Sequence, residues 1–427
     1  MLQYGQMSAE NTRYKWIICA CSTFILFINV GFTSSAFGIH MPYIFSSGWF
    51  SNSGASLIIT VKTFTNLIAI MLADRAVGRF GLRKILAAAL AAGTAGFAFM
   101  GAASSAAAAI QGRLLYYSGG ALLGIASGLG GFMVISILIR DWFSEGVGLA
   151  LGVCSAGSGI ALFVLPRLVT GLISAAGLDA AFFAEAALEF SAMLLALFLI
   201  RDLYGDSGND GNNDSEGPGQ DVLQGTASDR GIASVSSIDG LHAAAAASMF
   251  LTGFASNIPN YFTMLYIGAG YDDAVAADLY SLMGVILTIW KLLFGRLNDR
   301  FGTRRCMAVS YAFLTAGCLL ACMCVLHSSF VNAAAVFALA IGLITTTVLI
   351  SCLAIDLSTR EGFARMLKLM NTGFWAGILV SSYVMGWLAD LFGNYIPSFA
   401  VCGIVSLAAL LLLCAVFSKR FNRGGNR

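Results

Sequence analysis

Three basic residues of this chain, Lys62, Arg167 and Lys291, stand inside runs of apolar residues long enough to cross a lipid bilayer. A Lys at the centre of such a span costs about 2.5–3.5 kcal/mol on insertion scales, so its presence asks for an anionic partner or a role. Lys62 lies about ten residues from either end of its run, or about 15 Å from each surface at 1.5 Å per residue, and so reads at the midplane. Thr65, Asn66 and Ala69 share its helical face, a polar stripe that suggests a water-filled interior. Lys291 stands eight residues before Asp299, about 12 Å from the end of its helix, with Gly284, Thr288 and Gly295 on its side. The chemistry open to both lysines is recognition of a negatively charged group; the alternatives are an interhelix pair and snorkelling to the surface. Arg167, beside Pro166 near the other end of its span, either guards the external mouth of a cavity or snorkels.

Uncharged polar residues on the same runs are candidates to line such an interior. They are Asn29 and Thr33, Tyr116 and Tyr117, Asn257, Asn260 and Tyr261 around Pro259, and Asn371 with Trp375. Each also serves plausibly as glue between helices. Glu185 and Glu189, four apart, share a helix face near the end of their span and read as an interfacial structural pair. The histidines His40, His242 and His327 fall near helix ends, far apart in sequence. No metal spacing, phosphate-binding loop or convergent Ser/His/Asp set is visible, so the sequence predicts no cofactor and no enzyme.

The elements that must hold these residues follow from composition. Of the 427 residues, 58% are hydrophobic and only 11% charged, against roughly 25% charged in soluble domains. Apolar runs predict helices over 16–38, 54–73, 85–104, 113–139, 147–173 and 180–200, then over 241–268, 277–297, 306–326, 330–355, 369–389 and 396–417. The first run follows Arg13 and Lys15 and is read as a retained span rather than a cleaved signal. Between the two sets, residues 201–240 carry eight acids and two bases among Gly, Ser and Asn and read as a flexible cytoplasmic linker between halves 1–200 and 241–427. Deleting most of 206–235 is therefore expected to leave expression and folding largely intact, as size-exclusion profiles would report. Of the 24 Lys and Arg residues, only Arg113 falls on one side and three lie within spans; the rest gather on the other side, which marks it and both termini as cytoplasmic. A net charge of +2 gives no sign of a nucleic-acid surface; the environment implied is a cell membrane, multi-pass, and the chain is read as a monomer.

An internal repeat orders the two halves. After the eighth helix the chain reads Gly295-Arg-Leu-Asn-Asp299-Arg300-Phe-Gly302-Thr-Arg304-Arg305, and after the second Asp74-Arg-Ala-Val-Gly78-Arg79-Phe80-Gly81-Leu-Arg83-Lys84. This Gly-x-x-x-Asp-Arg-x-Gly-x-Arg-Arg loop resembles the signature of the major facilitator superfamily, which implies twelve transmembrane helices in two six-helix pseudo-repeats. The first copy departs: Gly78 stands where Asp299 stands, and Asp74 where Gly295 stands. Three further stretches resemble the monocarboxylate transporter and oxalate/formate exchanger branch. They are Ser35-Ala-Phe-Gly38-Ile-His-Met-Pro42; Trp142-Phe143 followed by Gly148 to Gly159 and Pro166; and Gly386-x-x-x-Asp390-x-x-Gly393-x-Tyr395.

That resemblance implies a secondary transporter of a small organic anion, a monocarboxylate first and a small dicarboxylate of the oxalate/formate type second, with protons or a counter-anion as coupled species. A non-transporting sensor on the same fold is the reading from another class. In both branches the position of Lys291 carries an Arg that is taken to bind the substrate carboxylate; Lys keeps the charge but loses the bidentate fork. Many monocarboxylate carriers have an Asp where this chain has Leu287, and oxalate/formate exchangers have a Lys in the eleventh helix, where this chain has no base between Lys368 and Lys419.

Overall fold

The computed structural model describes residues 2–106, 108–143, 147–200, 240–346, 350, 353 and 363–424; the side chains of Asp74 and Asp299 are not among those described. The linker read over 201–240 therefore lies outside the described residues, apart from Gly240, which opens a helix.

Hydrocarbon offers backbone amides no water, so a chain this apolar must satisfy them within helices, and the described elements are helical. The first passage is α1 (Leu2–Ile25), running into a π-helical stretch (Leu26–Ser35), a break at Ala36, and α2 (Phe37–Ser46). Then come α3 (Asn52–Phe80), α4 (Leu82–Ser104), α5 (Ala109–Leu129), α6 (Phe132–Trp142), α7 (Val147–Ala176) and α8 (Leu178–Leu199). The second half is α9 (Gly240–Ala255), a 3₁₀ turn (Ile258–Asn260) and α10 (Phe262–Gly268), followed by α11 (Asp273–Phe301), α12 (Thr303–Ala321), α13 (Ser329–Gly342), α14 (Phe363–Phe392) and α15 (Ile396–Gly424). Ten stretches among the described residues are long and apolar enough to span a membrane. The remaining two passages are α9 with α10, interrupted at Pro259, and α12, whose first turn carries Arg304 and Arg305.

The repeat is structural as well as sequential. Both α3 and α11 end on Phe, at Phe80 and Phe301, and each is closed by a Gly in a conformation that suits no other residue, Gly81 at φ 82° and Gly302 at φ 80°. The Gly N–H returns to Val77 O and Asn298 O, at 2.9 Å each, and the next helix starts at once. Arg79 lies over the Phe80 ring and Arg300 over the Phe301 ring, at 5.4 and 5.5 Å.

Besides the first, broken at Ala36, the seventh, broken around Pro259, and the ninth, whose α-helix closes at Ala321 before a 3₁₀ turn, two expected helices differ from the reading above. The fourth, expected unbroken over 113–139, bends at Gly130–Gly131, where Asn29 Nδ2 donates to Ala126 O at 3.0 Å and a side chain at 130 would collide with it. The tenth closes its regular helix at Gly342 and tightens to a 3₁₀ turn over Leu343–Thr346.

Candidate functional site

The break in the first passage creates three backbone acceptors with no helical donor. A π-helical register followed by a bend leaves the carbonyls of Thr33 and Ser35 out of the α-helical ladder, and Pro42 has no N–H to give Gly38 O. Each is met by a side chain from a different helix. Lys62 Nζ on α3 donates to Thr33 O at 2.7 Å, Tyr280 Oη on α11 to Ser35 O at 2.7 Å, and Thr263 Oγ1 on α10 to Gly38 O at 2.7 Å. Two of those three donors belong to the second half. The break is thus a joint gripped from both sides.

Lys62 is consequently occupied. It is 6% exposed, and its ammonium also sits over the Phe37 ring at 4.0 Å. The polar stripe on its face does not line water, as the sequence suggested. Thr65 donates to Ala121 O at 2.9 Å and Asn66 Oδ1 accepts from Ser127, while Gly120, Gly124 and Gly128 of α5 lie directly against the α3 backbone. The stripe is an interhelix seam, built on small residues that let two backbones approach.

Lys291 contrasts with it. It is half-buried and makes no hydrogen bond or ion pair with another described residue. Its helix packs on α7 of the other half through Asp278 against Arg167, Gly284 against Leu162 and Thr288 against Gly159. Lys291 follows Thr288 by three residues, so it lies on the same face one turn further toward the basic loops, just past the last of these close contacts. On α14, Asn371 and Trp375 are half-buried and share a face four residues apart.

At the end of the bundle away from the basic loops the halves are latched. The Asp390 carboxylate of α14 accepts from the backbone N–H groups of Asn52 and Ser53, at 2.7 and 2.8 Å, where the N-terminus of α3 favours an anion. Tyr395 Oη reaches Asn52 Oδ1 at 3.2 Å, and Gly38 lies against the Pro259 carbonyl. Arg167 joins this latch through its ion pair with Asp278. That pair is largely exposed, and exposed pairs contribute about 0.2–1 kcal/mol. Arg167→Gln is therefore expected to shift the latched population by no more than about fivefold, with Asp278→Asn giving the same shift and the double variant adding little, as distances between spin labels across the two halves would report.

The other residues singled out by sequence are placed as follows. Asn257 and Tyr261 are buried and bind α14, Asn257 Nδ2 donating to Ser382 Oγ at 3.0 Å and Tyr261 Oη to Ser382 O, while Asn260 Nδ2 donates to Asn257 Oδ1 at 2.6 Å. Tyr116 lies away from the seam between halves, inside the first half, with its hydroxyl on Ser104 Oγ at 3.0 Å and its ring against Phe50 and Phe182. Glu185 and Glu189 are not interfacial: they are 2% and 0% exposed, and Glu185 Oε1 meets His40 Nε2 at 2.9 Å. Sequence spacing showed the shared face of the two acids but not the histidine opposite, 145 residues away.

Comparison with known proteins gives a consistent picture. A family model described as Major Facilitator Superfamily matches residues 19–290 and 243–427. Monocarboxylate transporter 12 of Rattus norvegicus is 24% identical over 330 residues, covering 70% of this chain and 67% of that protein. Among solved structures, the nucleoside transporter NupG aligns with a TM-score of 0.71 at 13% identity, over 95% of this chain and 99% of that one. A POT family transporter in complex with 5-aminolevulinic acid aligns with a TM-score of 0.70 at 13% identity, over 94% and 96%. At that identity the likeness is one of fold.

Proposed function

The chain belongs to the Major Facilitator Superfamily, and from that premise we propose that this membrane transporter carries a small organic anion, a monocarboxylate, by alternating access of its two halves around Lys291. The observation that carries the reading is the ammonium of Lys291, which lacks an anionic protein partner among the described residues and stands just past the tight α7–α11 contacts, within a span. A cation so placed is stabilised when the ligand supplies the counter-charge. The similarity to a monocarboxylate transporter supports the same class.

A dicarboxylate would ask for a second cation. Lys62 is held by Thr33 O and the Phe37 ring, and Arg167 by Asp278, so neither is free to serve. One negative charge on the substrate matches the one base left among Lys62, Arg167 and Lys291. With the basic loops taken as cytoplasmic, the latched end faces outside, and this conformation is the one closed to the exterior. Rocking then requires release of the Asp390 cap, the Arg167–Asp278 pair and the grip on α2, while the Arg-Phe-Gly turns at the cytoplasmic ends of α3 and α11 form the opposing latch.

Uptake of radiolabelled acetate, lactate and oxalate into proteoliposomes, with and without a pH gradient or internal anion, tests the reading. Saturable uptake of a monocarboxylate that oxalate does not inhibit is expected. Uptake restricted to dicarboxylates or to uncharged solutes would overturn it.

A further inference from the structure

The first half buries a second polar cluster that the transport reading leaves unused. His40 of α2 is 0% exposed, its ring stacked on Phe182 at 4.7 Å between centroids. Its Nδ1 faces the carbonyl of Phe37 at 3.3 Å. Its Nε2 faces Glu185 Oε1 at 2.9 Å. One contact, imidazole nitrogen to carboxyl oxygen, thus joins α2 to α8. One turn further along α8, Glu189 is 0% exposed, and neither of its oxygens has a hydrogen-bond partner; Glu185 Oε2 has none either. Gly93 of α4 faces the Glu189 carboxyl, with the Ala126 methyl beside it.

The charge balance of this trio is decided by what surrounds it. Between Lys84 and its end, α4 has no ionisable residue. From α5 comes Tyr116, already bonded to Ser104, and from α3 comes Lys62, on the far side of Phe37 and bonded to Thr33 O. The Arg167 of α7 faces Asp278, and Tyr280 of α11 faces Ser35 O. At the far end of α8, Tyr14 of α1 donates to Leu199 O. None of these donates to Glu189. An ionised Glu189 would stand buried without a hydrogen bond from any described residue, which is far more costly than carrying a proton.

We propose that His40, Glu185 and Glu189 form an exchangeable proton-binding site whose occupancy holds the latched end closed. A cavity of about 370 Å³ at that end is lined by Asp179, Tyr116, Ser47 and Trp49 among others. Asp179 opens α8, Glu185 follows about 9 Å deeper and Glu189 about 15 Å deeper, and Tyr116 joins the cavity wall to Phe182 and so to His40. The link to the latch is the chain itself. His40 belongs to α2, the segment the second half grips through Thr263 on Gly38 O. Loss of the Glu189 proton places two carboxylates one turn apart beside a single imidazole and strains the His40–Glu185 contact that seats α2. The latched state thus holds more protons than the open one, and raising pH favours opening. This inference requires no substrate and stands apart from the role given to Lys291.

The test uses purified full-length protein in nanodiscs without added anion. Infrared titration should reveal a protonated carboxyl band at neutral pH that fades toward alkaline pH, and Glu189→Gln should remove it while Glu189→Asp retains a titrating band. Spin labels at Ser46→Cys and Asp272→Cys should report a distance that lengthens as the band fades, a shift absent in Glu189→Gln. Absence of any protonated carboxyl band in the wild-type protein overturns the proposal, whether or not the variants fold. So does a distance whose pH dependence is the same in wild type and Glu189→Gln.

Discussion

Proteoliposomes carrying Lys291→Ala are expected to show no saturable anion uptake, while the protein expresses and melts close to wild type. The reasoning is electrostatic. A hydrogen bond to a charged group contributes about 1.5–3 kcal/mol, so removing it weakens anion binding by roughly ten- to 150-fold, and no other free base among Lys62, Arg167 and Lys291 remains to replace it. Stability should survive because Lys291 has no described protein partner to leave stranded; a buried pair broken on one side would instead cost about 3–5 kcal/mol. Lys291→Arg should recover part of the uptake, because the charge persists in altered geometry.

The largest loss of assembled protein is expected from Gly253→Val. Helices α9 and α14 meet backbone to backbone: a β-carbon at Gly253 would overlap the Phe374 carbonyl, one at Gly377 the Phe250 carbonyl, and one at Gly373 the Ala246 carbonyl. Peptide oxygens cannot rotate away as side chains do, so the two helices must part along the seam. Ordinary overpacking costs about 1–3 kcal/mol, and a shared glycine seam gives less room to relax. Fluorescence-detected size exclusion should show the monodisperse peak lost for Gly253→Val. Gly78→Ala serves as the control: nothing lies within 4 Å of a β-carbon there, and replacing an exposed helical Gly should stabilise by about 0.5–1 kcal/mol.

Much of the architecture was legible because hydrocarbon imposes it. Apolar runs gave the passages, and the shared Arg-Phe-Gly of the two repeats gave the turns that close α3 and α11 with matching φ. Breaks were harder. The run over 241–268 was read as one helix although Pro259 stands in it, and Ala36 carries no mark of the break that follows the π-helical stretch. For that reason the site of Lys62 could be read as intramembrane and basic, whereas its partner, a backbone carbonyl released only by that register, could not. The Thr65–Asn66 stripe misled because polarity on a helix face looks the same whether it meets water or a glycine-lined neighbour; only the Gly120, Gly124 and Gly128 contacts distinguish them. Glu185 and Glu189 were seen as a shared face, yet their burial depends on which helix turns toward α8, and periodicity does not say.

The central claim is that Lys291 supplies the charge that recognises the substrate anion. Its most direct test is a calorimetric binding titration of the transported monocarboxylate on purified wild type, Lys291→Ala and Lys291→Arg, each beside its melting curve. The account predicts saturable binding by wild type, weaker binding by Lys291→Arg, and none by a Lys291→Ala protein with a near-normal Tm. A Lys291→Ala protein that melts normally and binds the same anion with unchanged Kd would contradict it.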